Sequence, residues 1–396
     1  METAKLKAGI IELLKNPVFV LGIYIIFALA ASVSSYLLSA PSDQFTHYNN
    51  FLIFRQSFPH LIHYIDLYKN HAPEHWDYYK YSPAFAVLMA PFTFLPDLPG
   101  LILWNLLNAL VLFYAIKSLP IKNDTAKIFM LWFILQELLT SMQNSQSNGL
   151  MAALLIWGFI KFEKGHVFTA ALFIMMSAYI KIFGALALVL FLFYPRKLKF
   201  IGSAIVWAVV FTFIPLLFVN FEQLVFLYKS WYRLLAEDRA TQYGISLLGL
   251  IHTWFNADPD KNMLTLAGLA LLFLPLVRIN RYKELNFRIN YFAALLIWLI
   301  IFNHRAESPT YIVAISGIAI WFFSSPQKPM DKYLLIFALI LTSFSPSDLF
   351  PRYLRVHFVV PYTLKALPCI LIWMKLISNL IMASPKEVQL TTGSKL

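Results

Sequence analysis

The sequence predicts an all-α protein, a polytopic bundle of membrane helices, from its composition, its hydropathy pattern and the placement of its charges. Of the 396 residues, 59% are hydrophobic and 13% are charged, whereas a soluble domain has about 25% charged residues. Separate runs of about 14 to 22 apolar residues recur along the chain, and a membrane-spanning helix needs about 20. Since backbone groups in hydrocarbon must bond to one another, these runs are expected to be helices.

The first apolar run, 18–38, follows Lys5, Lys7 and Lys15. This run exceeds the length of a signal-peptide core, about 7 to 15 residues, so it predicts an uncleaved first span. Because basic residues flank the cytoplasmic ends of spans, the N-terminus is expected in the cytoplasm. The polar segment 39–82 is then the first extracytoplasmic loop.

Basic clusters alternate with lysine-poor polar loops along the rest of the chain, and this alternation sets the predicted topology. The net charge of +12 is therefore attributed to the basic residues of short loops that orient the spans, and not to a nucleic-acid-binding surface. Counting crossings predicts roughly twelve spans in the plasma (inner) membrane, with both termini cytoplasmic. One membrane domain, 1–383, is expected, with a second large outer loop at 220–262 and a cytoplasmic tail at 384–396.

Three segments need individual interpretation. The short run 83–96 is interrupted by Pro91 and predicts a half-embedded helix. The run 167–194 is too long for one span and carries Lys181 at its centre, so it predicts two short helices that meet at Lys181 on the outer side. The segment 221–235 has apolar residues at helical spacing and predicts an interfacial helix.

The first outer loop is rich in histidine. His60 and His63 are three residues apart, and His71 and His75 are four apart. On a helix each pair could bind one metal ion, but a polar aromatic loop also collects histidines without binding anything. The solvated loop is the preferred interpretation, and no metal or other cofactor is expected, with a divalent ion as the alternative.

The same loop contains Asp43, which comes soon after the first span. A carboxylate there can serve as a general base, or as the N-cap of a following helix, and spacing alone favours the cap. Aromatic residues of the loop, among them Tyr48 and Tyr81, either stack on sugar rings or anchor at the headgroup level.

The order of several short runs resembles glycosyltransferase family 87. The runs that resemble the opening of the family are 43–48, 66–68 and 79–91. The similarity continues through Trp104-Asn105, Gln146 to Asn148, the span that ends at Lys181 and, more loosely, 242–250. It covers about residues 18–380. Family members are membrane transferases of the GT-C fold that use polyprenyl-phosphate sugars and include α-mannosyltransferases.

The resemblance implies that Asp43 is the catalytic base. It would take the proton of an acceptor hydroxyl, whose oxygen attacks the anomeric carbon and inverts it. The leaving phosphate needs no strong acid. The implied partners are the bilayer, a polyprenyl-phosphate-linked hexose, most simply mannose, and a lipid or glycan acceptor, all meeting at the extracytoplasmic face.

Cations at outer ends of spans are candidates for binding the donor phosphate. These candidates are Lys181, His304, Arg305, Arg352 and Arg355. Lys181 is the preferred one, and a lysine that snorkels to the interface is the alternative. His304 and Arg305, with Glu307, either face a cavity or form a solvated loop with an internal ion pair.

Polar side chains at the same level are candidates for binding the acceptor or the sugar. They are Tyr48, Tyr81, Glu137, Gln146, Asn148 and Glu307. Glu137 has a second interpretation, because a carboxylate within a span can instead pair with a basic residue of a neighbouring helix.

Two other classes of function compete with a glycosyltransferase. A transporter or flippase of lipid-linked saccharide is expected to show repeat symmetry and interrupted helices at the midplane, and no convincing repeat is present. A glycan ligase or polymerase is expected to have its largest outer loop late in the chain, whereas here it comes first. The transferase is therefore the preferred function.

Overall fold

The computed structural model describes residues 2–39, 46–237 and 243–382, and these residues form helices and connecting turns without any strand. The all-α prediction is confirmed for this part of the chain. The first nine α-helices are α1 Glu2–Lys15, α2 Pro17–Leu37, α3 Asn49–Ile62, α4 Pro83–Leu88, α5 Ala90–Thr93, α6 Asp97–Lys117, α7 Asp124–Gln143, α8 Asn148–Glu163 and α9 Val167–Ile180.

The second half continues in the same way. Its α-helices are α10 Lys197–Phe213, α11 Phe221–Glu237, α12 Leu247–Phe255, α13 Lys261–Phe273, α14 Leu285–Ile301, α15 Tyr311–Ser324, α16 Pro329–Phe337, α17 Arg352–Leu354 and α18 Leu367–Met382. Tighter 3₁₀ segments lie at Ile182–Phe193, Ile214–Leu217, Leu274–Val277, Ile279–Arg281, Ser308–Thr310 and Leu364–Ala366, and wider π segments lie at Ala338–Phe344 and Arg355–Val359.

Four of the described helices are long and apolar enough to cross a membrane. They are Pro17–Leu37, Asp97–Lys117, Lys197–Leu217 and Leu364–Met382. Shorter apolar helices lie at Val167–Ile180, Ile182–Phe193, Lys261–Val277, Leu285–Ile301 and Ser308–Ser324. The chain is thus a helical membrane protein, while the predicted count of twelve spans and the orientation of the termini stay predictions.

Contacts divide the chain into two compact units. Unit 1 comprises residues 1–120 and 138–241, and unit 2 comprises 121–137 and 242–396. In unit 1, α6 packs on α2 and α8, and α9 packs on α8 and α10. In unit 2, α14 packs on α15 and α18. The predicted single domain is not tested by this division and stays a prediction.

The packing of α14 on α15 in unit 2 depends on one small residue. A Cβ atom at Gly317 would lie 2.7 Å from the carbonyl oxygen of Ala293, closer than non-bonded atoms come. The absence of a side chain therefore lets the two helix backbones approach closely, as small residues do between membrane helices.

The helix breaks that the sequence predicts are present. α9 ends at Ile180, a tighter helix begins at Ile182, and Lys181 between them is extended, with φ −136° and ψ 119°. The run 83–96 contains two short helices, α4 and α5, because Pro91 has no N–H to donate and interrupts the helix; α5 begins at Ala90. The predicted half-embedded position of this run stays a prediction. The predicted helix at 221–235 is α11, and its position at the membrane surface stays a prediction.

Candidate active site

Lys181 lies at the centre of a polar cluster in unit 1. Its Nζ donates a 2.7 Å hydrogen bond to Asn148 Oδ1 and a longer one, 3.5 Å, to Gln146 Oε1. The Tyr81 hydroxyl also donates to Gln146 Oε1, at 3.5 Å, and Nζ lies 5.9 Å from the centre of the Tyr81 ring. The structure therefore brings together four of the residues that the sequence analysis selected separately.

The break after α9 explains where Lys181 points. The backbone N–H of Lys181 still bonds to the carbonyl of Ser177 at 2.8 Å, but the residue itself has left the helical conformation. Its side chain is half-buried, and the amide and phenol oxygens around it are neutral. The ammonium group of the lysine is therefore bound by the neutral dipoles of Asn148 and Gln146.

The loop between α7 and α8 supplies Gln146 and Asn148, and its conformation is unusual. Ser145 has φ +51°, the left-handed region that non-glycine residues seldom adopt. Its carbonyl accepts a 2.9 Å hydrogen bond from the buried Trp104 indole. This bond holds the strained turn in place, and the turn directs the two amide side chains towards Lys181.

Two more side chains of α6 bind the helix ends on either side of this loop. The Asn105 amide donates to the carbonyl of Met142 at 3.2 Å, and the N–H of Leu150 donates to Asn108 Oδ1 at 2.9 Å. Both asparagines are buried, so neither bond is exposed to competition from water. The Trp104-Asn105 pair and the Gln146 to Asn148 run, which lie apart in sequence, thus form one supporting structure.

Buried hydroxyl groups flank Gln146 along the chain. Within the described ranges, Ser145 Oγ and Ser147 Oγ have no hydrogen-bond partner. A buried polar group without a partner costs about 1 to 3 kcal/mol. The loop therefore favours a polar ligand such as a sugar hydroxyl or a phosphate oxygen, either of which can satisfy such groups.

Glu137 takes part in a second polar cluster, within unit 2. Lys365 Nζ donates a 2.7 Å hydrogen bond to Glu137 Oε1. The pair is shielded from water, since the lysine and glutamate side chains are 4% and 0% exposed. Nζ also donates to Ser308 Oγ at 2.9 Å and lies 5.0 Å from the centre of the Tyr311 ring. Of the two interpretations of Glu137, the structure supports pairing with a basic residue of another helix.

The segment that contains His304, Arg305 and Glu307 is braced by its own unit. The N–H of Ile245 donates to the carbonyl of Ala306 at 2.7 Å. A Cβ atom at Gly244 would lie 2.5 Å from the carbonyl oxygen of His304. His304 and Arg305 are half-buried and Glu307 is exposed, so the three residues do not share one environment.

The remaining two arginines differ in their surroundings. Arg355 donates to Asp348 Oδ1 at 2.9 Å and to the carbonyl of Pro346 at 3.3 Å. Arg352, at the start of α17, is exposed. Arg355 therefore already has an anionic partner on its own unit.

Tyr48 is bound to charged residues of unit 1. Its hydroxyl donates to Asp97 Oδ2 at 3.1 Å, and Arg55 forms an ion pair with the same carboxylate. Burial, and then the negative charge of Asp97, raise the pKa of Tyr48 to about 12. The candidate base Asp43 lies outside the described residues.

The histidines of the first outer loop meet in a different combination from the sequence pairs. The rings of His60 and His71 lie 4.0 Å apart between centres, and those of His71 and His75 lie 5.7 Å apart. His60 Nε2 is 2.8 Å from Glu74 Oε2, whereas His63 bonds to its own helix. No group of three or more potential metal ligands with suitable geometry occurs in the ranges described.

This histidine cluster predicts a pH-dependent stability of the loop. Burial lowers the pKa of both His60 and His75, the neighbouring His71 lowers it further, and Glu74 acts in the opposite direction. A lowered pKa in the folded state means that the neutral forms stabilise the loop above the ordinary histidine pKa, about 6.5, and that this stability is lost as the pH falls through the folded-state values.

We expect hydrogen exchange of residues 60–80, corrected for its intrinsic pH dependence, to be faster at pH 5.5 than at pH 7.5. The substitution His75→Gln, which removes one titrating ring, should reduce the difference. His357, which lies outside this cluster, provides a matched control as His357→Gln. Equal protection at the two pH values would contradict the prediction.

Sequence reasoning missed Lys365 and the supporting role of Asn108. A carboxylate within an apolar helix, such as Glu137, needs a partner, and Lys365 at the start of the last apolar run is a possible one. The sequence therefore allowed this pair but did not single it out from other basic residues. Asn108 lies one turn after Trp104 and Asn105 on α6, and this spacing places all three near one another on the helix.

The sequence model of glycosyltransferase family 87 matches residues 79–303. The matched range includes Lys181, its three partners and the α6 residues that support them, whereas Asp43 and Lys365 lie outside it. Among curated proteins, none matches the chain. Since the family match covers more than half of the 396 residues, the chain belongs to glycosyltransferase family 87.

Proposed function

We propose that the protein transfers a hexose, mannose in the simplest case, from a polyprenyl-phosphate donor to a lipid or glycan acceptor at the extracytoplasmic face of the plasma membrane. The observation that carries the proposal is the cluster around Lys181, a cation at a helix break, surrounded by amide and phenol groups. Family membership supports a sugar transfer, and the helical membrane architecture supports a lipid-borne donor.

The proposed reaction divides the chemistry among few residues. Asp43 takes the proton of the acceptor hydroxyl as the new C–O bond forms. The bond from the anomeric carbon to the phosphate oxygen breaks, and that oxygen leaves with the electron pair. Lys181 stabilises the negative charge of the departing phosphate. Because the acceptor attacks from the face opposite the phosphate, the anomeric configuration is inverted.

Gln146, Asn148 and Tyr81 have a positioning role in this proposal. Their oxygen atoms and the ring bind the lysine ammonium and so fix its position towards the departing phosphate. The amide groups can in addition bond to sugar hydroxyls, which present both donors and acceptors.

Substitution of Lys181 by alanine is expected to weaken donor binding by about 10- to 100-fold, the range for losing a hydrogen bond to a charged group. The effect should exceed that of Asp43→Asn on donor affinity, because the base does not contact the phosphate. The measurement is binding of labelled polyprenyl-phosphate sugar to purified protein in nanodiscs.

Lys197→Ala is the matched control, since this exposed lysine begins α10 in the same unit. Lys181→Arg keeps the charge and should retain part of the affinity. If Lys181→Ala and Asp43→Asn bind the donor equally well, Lys181 only snorkels and the phosphate is bound elsewhere.

The function itself is tested by a transfer assay. Purified protein in lipid is supplied with labelled polyprenyl-phosphate mannose, glucose and other sugars as donors and a membrane-lipid extract as acceptor. Label in a new product with the wild type, and not with Asp43→Asn, supports the proposal. Donor that is bound or moved across the bilayer without transfer would instead indicate a transporter or a lipid-binding protein.

A further inference from the structure

Helix α11 in unit 1 is fixed along one side by hydrogen bonds. Ser230 Oγ lies 2.9 Å from both oxygens of the Asp66 carboxylate, which share its one hydrogen, and the Trp231 indole donates to the carbonyl of Lys80 at 3.3 Å. The Tyr228 hydroxyl donates to the carbonyl of Thr212, at the end of α10, at 3.2 Å. These bonds hold α11 beside the end of α10.

A groove of about 520 Å³ lies between the end of α10 and α11. Its walls are mostly apolar and include Phe213 of α10 and Phe221, Val225 and Tyr232 of α11. Phe221, Phe213 and Tyr232 are strongly exposed, which is costly for aromatic side chains in water. The volume falls within the range of small-molecule sites, about 300 to 1,000 Å³.

The groove carries two positive charges at one side. Lys229 and Arg233 line it, one helical turn apart, and both are exposed. In the part of the chain that is described, neither forms an ion pair, and the acids of α11, Glu222 and Glu237, lie towards its first and last turns. Among the described residues, the groove therefore combines an apolar wall with two cations that form no ion pair.

The surroundings indicate where an occupant would come from. The span candidate Lys197–Leu217, which ends at the groove, is 22% buried within the structure, the lowest value of the four candidates. Most of its surface is therefore not covered by protein and is available to lipid. A chain of the surrounding bilayer can enter the groove from this helix without crossing water.

We propose that this groove is a binding site for an anionic membrane phospholipid. One acyl chain lies along Phe213, Phe221 and Val225, and the headgroup phosphate is bound by Lys229 and Arg233. Apolar walls and paired cations at the end of a lipid-facing helix match the two parts of such a lipid. The bound lipid fixes α11, which Ser230 and Trp231 connect to the first outer loop. The proposal does not depend on the proposed sugar transfer.

The test measures lipid retention by the full-length protein. Native mass spectrometry is carried out on protein extracted from nanodiscs that contain phosphatidylglycerol and phosphatidylcholine in equal amounts. We expect preferential retention of phosphatidylglycerol. The double substitution Lys229→Gln with Arg233→Gln should lower its affinity by about fivefold for each cation, hence about 25-fold for both.

Two further variants keep the result interpretable. Val225→Trp fills the groove and leaves both cations, so it should also reduce retention if an acyl chain lies there. Lys69→Gln removes an exposed charge of the same unit that does not line the groove and should retain lipid as the wild type does. Thermal unfolding in detergent checks that each variant is folded.

Three outcomes would overturn the inference. Equal retention of the zwitterionic and anionic lipids would show that the cations do not bind a headgroup phosphate. An equal loss with Lys69→Gln would indicate general surface charge. Displacement of phosphatidylglycerol by polyprenyl phosphate at equimolar amounts would assign the groove to the donor lipid instead.

Discussion

Replacing Asp43 by asparagine is expected to lower the rate of sugar transfer by about 10²- to 10⁴-fold, the usual contribution of a general base, and so to abolish transfer in practice. Asparagine has nearly the same shape as aspartate, but its amide has no basic oxygen that can take a proton. Expression, thermal unfolding and donor binding should stay close to those of the wild type. The measurement is the initial rate of transfer in nanodiscs at saturating donor.

Asp77→Asn is the matched control for this experiment. Asp77 lies in the same outer loop, where its carboxylate is 3.3 Å from Lys80 Nζ and about as exposed as the lysine. An exposed pair of this kind contributes little, about 0 to 1 kcal/mol, so transfer should continue. A well-folded Asp43→Asn variant with the wild-type rate would remove Asp43 as the base.

The substitution Lys365→Met is expected to destabilise the protein by about 3 to 5 kcal/mol, the cost of leaving one charge of a buried pair without its partner. Glu137 is fully buried, its Oε1 accepts from Lys365, and its Oε2 has no other partner among the described residues. Methionine matches the volume of lysine but cannot donate a hydrogen bond. Unfolding in mixed detergent micelles measures the loss.

The double variant Glu137→Gln with Lys365→Met separates a pairing effect from lost volume. Removing both charges should recover most of the stability that the single substitution loses, because no unpaired carboxylate remains. Lys80→Met, in a pair with both side chains about 40% exposed, should change stability by less than about 1 kcal/mol. A double variant as unstable as Lys365→Met would indicate that packing, not pairing, causes the loss.

The fold class and the break at Lys181 could be predicted because both depend on local properties. Apolar runs exclude water whatever their neighbours are, so each becomes a helix with its backbone bonded internally. A lysine in the middle of a run too long for one span is a poor occupant of hydrocarbon, and the chain leaves the helix at that residue.

The candidate site was predicted as separate residues and not as a constellation. Lys181, Gln146 and Asn148 were selected individually. The sequence did not indicate that Trp104 and Asn105 support the loop between α7 and α8. The sequence spacing likewise did not predict which histidines of the segment meet. Spacing places His60 near His63, but the chain turns after α3 and brings His71 and His75 to His60 instead.

Glu137 illustrates the difference between what the sequence determines and what the tertiary structure decides. Its sequence position allowed an acceptor-binding role or a structural ion pair, and the choice depends on which side chain comes to it from 228 residues away along the chain. The sequence by itself determined that this is a helical membrane protein, which family it resembles, and that its polar residues lie at helix ends. These properties depend on hydropathy and short motifs, which are local. Only the tertiary structure decided which of these residues meet, because contacts between distant segments depend on how the helices pack.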